Sequence, residues 1–305
     1  MAEQEKFSIA RAAASLPTLP PPDPIRGPDL HQAQFGNCTV SLLSDGSMSL
    51  PFRALAPAAP QDALATLCGL RAAPELAAGE MSHTLIRTSD DLILIDTGAG
   101  PGWQSGTGRL RKHMQLLQMD PNAITKVVLT HLHPDHVWGT LDPAGGLVFP
   151  NAIYSVGRTE RDFWGAPDLA DRLSQIARPA VDGAQSVLRA IGDRLQTVRD
   201  GDEIAPGVTV LETPGHTPGH ISILLNDGDG LIVTGDALVH DIVSFAKPDW
   251  AFGFDMDPDT AIRSRRRLLD LATRRGHAMA GYHWNWPGIG YVDQDKDGYR
   301  LIRRQ

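Results

Sequence analysis

The sequence contains few cysteines and no excess of positive charge. Cys38 and Cys68 are the only thiols in 305 residues, too few for the disulfide framework that holds small secreted domains together. Lys and Arg number 28 against 36 Asp and Glu, which gives a formal net charge of −8. Nucleic-acid backbones and anionic membranes attract clustered Lys and Arg. We therefore expect neither as a partner, and we expect a small molecule instead.

Long apolar runs are also missing. No segment approaches the roughly 20 apolar residues that span a bilayer. The N-terminal stretch MAEQEKFSIARAAASLPTLPPPDP lacks the basic start and the apolar core of a secretory signal. The sequence therefore predicts a cytoplasmic protein, with a periplasmic or secreted location as the alternative.

The N-terminal part of the chain differs in composition from the rest. Residues 12–29 are rich in Ala and Pro, and proline disfavours both helix interiors and central strands. We therefore divide the chain into an extended arm, residues 1–36, and a single folded domain, residues 37–305. The arm is either a disordered tail or a segment that wraps around a partner subunit, and the sequence leaves both possibilities open.

Strand patterns occur in pairs along the domain. HTLIRT at 83–88 and DLILID at 91–96 predict one hairpin, and HISILLN at 220–226 and LIVTGD at 231–236 predict another. Further strands are predicted at 126–130, 152–156, 208–213 and 277–283. Helices are predicted at 106–119, at 168–178, near residue 190 and across 261–275. The last has start signals at Asp257, Pro258 and Asp259, an end signal at Gly276, and its arginines on a solvated face. This alternation favours a layered α/β (α+β) fold with helices outside sheets.

The stretch HLHPDH concentrates four potential metal ligands directly after the strand KVVLT. They are His131, His133, Asp135 and His136. Imidazole and carboxylate groups are ligands that Zn²⁺ accepts, and ligand sites of layered folds tend to lie where strands end. His131 and His133 can serve one ion while the two residues after Pro134 serve a second.

Further candidate ligands follow other predicted strands. His216 lies in the rigid turn ETPGHTPGH, where Pro and Gly flank it on both sides. Asp236 ends the strand LIVTGD and His283 ends the strand AMAGYH. The sequence thus offers seven ligands at comparable strand ends.

The motif HxHxDH at residues 131–136 resembles the signature of the metallo-β-lactamase superfamily, and the other motifs follow in the family's order from about Cys38 to the C-terminus. The resemblance implies an αββα sandwich of two mixed β-sheets flanked by helices. It also implies ligand roles: His131, His133 and His216 would hold one metal ion, Asp135, His136 and His283 a second, and Asp236 would bridge them. Asp96 in LILIDTG would orient a ligand loop from behind.

Other segments narrow the resemblance. Asp236 stands where the cysteine-dependent β-lactamases carry Cys, and His133 stands where diiron flavoproteins carry Glu, so zinc hydrolysis is favoured. SLLSDGSMSLP, IDTGAGPGWQSGTGRL, RDFW, GHTPGH, WPGIGY and GYRL are similar to segments of the methyl parathion hydrolase and aryl-lactonase group. That group implies a homodimer. Trp138 departs from it, because relatives carry a small residue there.

The resemblance implies a dinuclear hydrolase that uses a metal-bridging hydroxide to open lactones or cleave aryl esters, including phosphotriesters such as methyl parathion. Asp236 would orient the hydroxide and Asp135 would carry a proton. The cofactors would be two divalent ions, zinc first, with manganese, cobalt or iron as alternatives. The predicted substrate pocket, for a small lipophilic ester or lactone, consists of Trp103, Trp138, Phe163, Trp164, His240 and Phe245.

Other functions remain open from sequence alone. A β-lactamase, a glyoxalase-like thioesterase or a phosphodiesterase could share the fold, although the acidic chain offers no basic groove for a nucleic acid. A non-catalytic binding protein could share it too, but such a protein would have lost some of the ligands that are all present here.

Overall fold

The described residues, 30–101, 103–295 and 298–303 of the computed structural model, form two β-sheets of seven strands each. The first sheet contains β1 (Leu30–Phe35), β2 (Cys38–Pro51), β3 (Leu76–Arg87), β4 (Leu92–Ile95), β5 (Lys126–Leu129), β6 (Ile153–Gly157) and β7 (Leu195–Val198) in that order. Strands β1 to β4 pair antiparallel and β4 to β7 pair parallel. The first sheet is therefore mixed.

The second sheet is also mixed. It contains β8 (Glu203–Ala205), β9 (Val208–Glu212), β10 (Ile221–Leu225), β11 (Leu231–Val233), β12 (Ala278–Ala280), β13 (Ile289–Asp295) and β14 (Gly298–Ile302). Only β11 and β12 pair parallel, and the long connection between them carries a helix. The two predicted hairpins are confirmed as the antiparallel pairs β3–β4 and β10–β11.

The helices lie outside the two sheets. They are α1 (Gln61–Leu67), α2 (Leu110–Leu116), α3 (Pro134–Val137), α4 (Arg158–Trp164), α5 (Leu169–Arg172), α6 (Arg178–Ile191), α7 (Val243–Ala246) and α8 (Pro258–Arg275). The apolar face of α6 packs on the first sheet, and that of α8 packs on the second. A third apolar cluster fills the space between the sheets. These layers confirm the predicted αββα sandwich. Within the described ranges, no helix combines the length and the apolar composition of a membrane span.

Strand β4 shows why its sequence, LILI, is apolar throughout. Leu92 and Leu94 point into the core beneath the outer helices, whereas Ile93 and Ile95 point into the core between the sheets. All four side chains are buried. A strand covered on both faces needs apolar residues at every position, since successive side chains alternate between the two faces.

The predicted boundary between arm and domain falls within a hairpin. Leu30–Phe35 pairs with residues 38–43 along its whole length, so residues 30–35 of the predicted arm belong to the first sheet. The rest of the arm predicted at 1–36, residues 1–29, lies outside the described residues and stays a prediction, as does the division into domains.

Two helix predictions need correction. The helix expected at 168–178 is the single turn α5, and a separate helix, α6, begins at Arg178 with a proline in its first turn. In α8 the predicted ends are confirmed, with Asp257 capping the first turn and Gly276 left-handed after the last. Its arginines are not all solvated, because Arg265 is only 1% exposed.

Candidate metal centre

The seven predicted ligands lie together at one edge of the sandwich. The loop after β5 and helix α3 supply His131, His133, Asp135 and His136, the β9–β10 loop supplies His216, the end of β11 supplies Asp236, and the end of β12 supplies His283. These elements come from both sheets, whose strand ends meet at this edge. Ligand atoms fall into groups within 4.8 Å of one another that could hold a metal ion.

The first group consists of His131, His133 and His216. Nδ1 of His133 lies 3.0 Å from Nε2 of His216, and the three rings meet edge to face with centroids 4.5 to 4.9 Å apart. Burial and the neighbouring imidazoles lower the pKa of His131 and of His133 well below the usual value. The rings of His131 and His133 are therefore neutral and offer lone pairs, as metal coordination requires.

The second group consists of Asp135, His136 and His283. Oδ2 of Asp135 lies 3.3 Å from Nε2 of His283 and 3.6 Å from Nε2 of His136. Helix α3 brings the first two residues together, because it begins directly after His133 with Pro134 in its first turn. The turn of α3 thus places Asp135 beside His283, and the His136 ring also lies beside the His131 ring of the first group, with centroids 4.1 Å apart.

Asp236 lies between the two groups. Its Oδ1 is 3.4 Å from Nε2 of His136, and its Oδ2 is 3.3 Å from Nε2 of His216 and 3.5 Å from Nε2 of His283. Burial opposes ionisation, but His283 and His136 outweigh it and hold the pKa of Asp236 well below its usual value. A carboxylate with both oxygens among ligands of both groups is placed to contact two ions.

Unpartnered polar atoms test whether these residues fit metal ions. Among the described residues, Nε2 of His131, Nε2 of His136 and Oδ1 of Asp236 are buried without a hydrogen-bond partner. A buried polar atom left without a partner costs about 1–3 kcal/mol. The three side chains have ligand atoms within 4.8 Å of one another, so metal ions bound in the cluster would satisfy these atoms. The donor set of imidazoles and carboxylates fits divalent transition metals such as zinc.

Asp96 orients two of the predicted ligands through hydrogen bonds, one directly and one through Thr130. Its Oδ2 accepts hydrogen bonds from Nδ1 of His136 at 2.8 Å and from the Thr130 hydroxyl at 2.7 Å. The same hydroxyl oxygen accepts from Nδ1 of His131 at 3.1 Å. Both rings thus carry their hydrogen on Nδ1 and leave Nε2 free for a metal.

Two further predicted ligands donate hydrogen bonds to groups that the sequence did not indicate. His216 donates from Nδ1 to Asp255 at 3.1 Å, and His283 donates from Nδ1 to the Glu80 carbonyl at 2.9 Å. The side chain of Asp255 is fully buried and pairs with Arg265 of helix α8 at 3.4 Å. No local pattern around Asp255 could have marked it, since it lies among several acidic residues and finds its partner across 39 positions of the chain.

His220 holds the Asp236 backbone, a role close to the structural hydrogen bond that the turn GHTPGH suggests. Its Nε2 accepts the Asp236 N–H at 3.0 Å, while Nδ1 contacts the Thr213 hydroxyl at 2.8 Å. Burial lowers the pKa of His220 to about 3, so the ring is neutral and can accept. Tyr282, also missed, donates to the Asp135 carbonyl at 2.7 Å.

A cavity opens beside the cluster. Its lining includes five of the seven predicted ligands, namely His133, Asp135, His216, Asp236 and His283. The remaining wall is largely apolar and consists of Met48, Ser49, Leu50, Leu55, Ala78, Gly79, Trp103, Gln104, Val239, His240, Phe252 and Phe254. An apolar cleft with a few convergent polar groups is typical of a small-molecule site.

The sequence profile of the metallo-beta-lactamase superfamily matches residues 82–283, about two thirds of the chain, including all seven ligands. The chain belongs to this superfamily. The dizinc quorum-quenching lactonase AidC, solved with a product, N-hexanoyl-L-homoserine, is 27% identical with a TM-score of 0.83 and covers 91% of this chain and 98% of its own. The hydrolase AbOPH of the beta lactamase superfamily is 27% identical with a TM-score of 0.84, over 92% and 99%.

By sequence, the N-acyl homoserine lactonase of Bacillus thuringiensis is 26% identical over 217 residues, which span 62% of this chain and 75% of that protein. An uncharacterized protein of Bacillus subtilis, YobT, is 30% identical over 195 residues, 62% of this chain and 77% of its own. The superfamily and these relatives support a metal-dependent hydrolase.

The predicted pocket residues of this superfamily member divide into two sets. Trp103 and His240 line the cavity. The lining does not include Trp138, Phe163, Trp164 or Phe245. The first three pack with the core under the outer helices, and Phe245 packs on Trp284 with ring centroids 5.1 Å apart. Helix faces that bury aromatic rings against the sheets direct them away from the cavity.

His240 offers a donor in the cavity wall. Its Nδ1 accepts the backbone N–H groups of Ile242 at 3.1 Å and Val243 at 3.4 Å. Burial lowers the pKa of His240, so the ring is neutral and carries its hydrogen on Nε2. Gln104, by contrast, uses both its amide atoms on the Ser49 backbone.

Proposed function

We propose that this protein is a dinuclear zinc hydrolase that opens lactones or cleaves aryl esters. The observation that carries the proposal is the position of Asp236, whose two oxygens lie among ligands of both groups at the base of an apolar cavity. A pair of metal ions sharing one carboxylate is a recurring arrangement for hydrolysis. All seven ligand positions are filled, which argues against a binding protein that has lost its activity.

The charge of the cavity favours an uncharged substrate. None of the described residues that line it is Lys or Arg. Away from the metal ions, the charged groups of a glutathione thioester or a β-lactam would meet a wall without a basic partner, and an unpaired charge is costly to bury. A lactone or aryl ester needs only apolar contacts for its body and polar contacts for its carbonyl. A phosphotriester is equally uncharged and is the second candidate.

The apolar wall provides contacts for a hydrocarbon chain. Leu50, Leu55, Val239, Phe252 and Phe254 lie along it, beside the ligands. The product bound to AidC consists of an acyl chain and a homoserine, so its parent lactone is a molecule of this kind. We therefore propose lactones with an apolar substituent as the first class to assay.

Four residues of this chain have different roles in the proposed reaction. When bound, two zinc ions would supply Lewis-acid chemistry, lowering the pKa of water and polarising the scissile carbonyl. Asp236 holds the two halves of the centre together and orients the attacking water. Asp135 lines the cavity and can carry a proton to a poor leaving group. His240 donates from Nε2 to the substrate oxygen, and Trp103 packs against the substituent.

Metal analysis and a comparative assay test the proposal. We expect close to two zinc ions per chain and turnover of dihydrocoumarin or an N-acyl homoserine lactone, with less turnover of paraoxon and none of nitrocefin. A protein with intact ligands that binds no zinc would refute the proposed function. Turnover of nitrocefin alone would refute the lactonase assignment. The homodimer and the cytoplasmic location stay predictions from the sequence.

A further inference from the structure

A fully buried carboxylate outside the ligand set joins two loops of the site. Glu160, in helix α4, is 0% exposed. Its Oε1 accepts hydrogen bonds from the Leu132 N–H at 2.9 Å and from Nε1 of Trp164 at 2.8 Å. Its Oε2 accepts from the Thr217 hydroxyl at 2.8 Å and from the Gly219 N–H at 2.9 Å. Both oxygens are therefore saturated by donors of the protein.

These donors belong to the two loops that supply the first group. Leu132 lies between His131 and His133, in the loop that leaves the first sheet after β5. Thr217 follows His216 directly, in the loop between β9 and β10 of the second sheet. One carboxylate thus connects the two sheets at the point where their histidines converge.

The indole that Glu160 holds reaches a ligand as well. The Trp164 ring lies edge to face against the His133 ring, with centroids 5.7 Å apart and an interplanar angle of 85°. Trp164 is 1% exposed and does not line the cavity. Through Trp164, Glu160 therefore contacts His133 of the first group indirectly, in addition to its hydrogen bonds with the two loops.

Close packing fixes Glu160 relative to the second loop. A Cβ on Gly219 would lie 1.9 Å from the Glu160 backbone nitrogen, and a Cβ on Gly157 would lie 2.4 Å from the Gly219 carbonyl oxygen. The start of helix α4 therefore abuts the loop with no space for a side chain between them. None of the hydrogen bonds of Glu160 reaches a ligand of the second group, Asp135, His136 or His283.

We propose that Glu160 is a positioning residue that sets the geometry of His131, His133 and His216 for one metal ion. The proposal rests on the proposed function, since it assumes that the first group binds zinc. It assigns to Glu160 an effect on one of the two sites only. Outer-shell partners of metal ligands change metal affinity by roughly 10–100-fold when they are removed.

The substitution Glu160→Gln tests this role with little change in shape. A carboxamide has one acceptor oxygen, whereas Leu132, Trp164 and Gly219 each present an N–H that cannot accept. If the carboxamide oxygen accepts hydrogen bonds from Leu132 and Trp164, the NH₂ group faces the Gly219 N–H, which cannot accept a hydrogen bond. Of the two donors on that side, only the Thr217 hydroxyl can become an acceptor. The loop that carries His216 is therefore the one expected to shift.

Zinc titration of the metal-free protein against a chromogenic chelator measures the effect. We expect the wild type to bind two Zn²⁺ ions, and Glu160→Gln to bind one with unchanged affinity and the other roughly 10–100-fold more weakly. Asp162→Asn is the matched control, because it removes a negative charge from an exposed side chain of the same helix. Two unchanged affinities in Glu160→Gln would overturn the positioning role, whereas failure of the wild type to bind zinc would refute the proposed function itself.

A spectroscopic readout and a second pair of variants separate positioning from folding. The visible spectrum of Co²⁺ reports ligand geometry, so the spectrum of the Co²⁺-loaded protein should change in Glu160→Gln and stay unchanged in Asp162→Asn.

If Glu160→Gln does not fold, zinc titrations of Thr217→Val and Thr217→Ser test the positioning role instead. Valine removes the hydroxyl that reaches Glu160 and should weaken one zinc site, while serine keeps it and should weaken that site less. Equal affinities in these two variants would overturn the proposal.

Discussion

Nδ1 of His133 and Nε2 of His216 lie 3.0 Å apart, although 83 residues separate them in the chain. Both atoms belong to buried side chains, and the two residues come from loops of different sheets. Two imidazole nitrogens held this close are placed to coordinate one cation. These two histidines therefore come together only when the two sheets pack against each other.

Asp236→Ala should remove most activity. The carboxylate lies among ligands of both groups, so in the proposed dinuclear centre its loss would leave both ions with fewer ligands. We expect kcat/KM for a lactone to fall by more than the roughly 100-fold that an outer-shell change can cause, and zinc content to fall with it. Steady-state kinetics and metal analysis on the same preparation check this. Full activity with two bound ions would contradict the bridging role.

Asp255→Asn should weaken zinc binding through His216 by roughly 10–100-fold. The amide still accepts the His216 hydrogen, but it no longer compensates the charge of the buried Arg265. We expect a lower free energy of unfolding for the metal-free protein as well. Asp249→Asn is the control, since Asp249 pairs with Arg266 of the same helix at the exposed surface. Similar effects of the two substitutions would count against a specific role of Asp255.

His240→Ala should lower kcat while metal content stays unchanged. The substitution removes a hydrogen-bond donor from the cavity wall, and loss of one such donor to a developing oxyanion costs roughly 10²–10³ in kcat. The comparison of kcat and KM for one lactone, with zinc measured in parallel, checks it. An unchanged kcat would show that His240 only shapes the cavity.

His83 should make the metal-free protein less stable in acid. Burial lowers its pKa in the folded state from 6.5 to about 4, so the unfolded chain binds the proton first as the pH falls. The contribution of the neutral His83 ring to the free energy of unfolding is therefore fully present above pH 6.5. It is lost as the pH falls from there to about 4, which lowers the free energy of unfolding by up to about 3 kcal/mol. Chemical unfolding of the wild type and His83→Gln between pH 7 and 4 measures the difference. A variant with the same pH slope as the wild type would contradict this account.

Much of the fold followed from local patterns. The hairpins at β3–β4 and β10–β11 and the ends of helix α8 were predictable because turn residues and caps act over a few positions. The four ligands in HLHPDH were recognisable for the same reason, since they lie within six residues after a buried strand.

Tertiary structure decided the contacts that act across the chain. Glu160 and Asp255 resemble ordinary surface acids in sequence, and only contacts with elements distant in the chain bury their side chains, Glu160 against Leu132 and Asp255 against His216. The side of a helix that faces the core directs Trp164 away from the cavity, whereas residue type alone suggests a pocket. Residue types and their spacing in the chain predict which side chains can bind metal ions. Only the packing of the two sheets determined which of them meet and which buried groups hold them, because those interactions depend on distance in space and leave no local pattern in the chain.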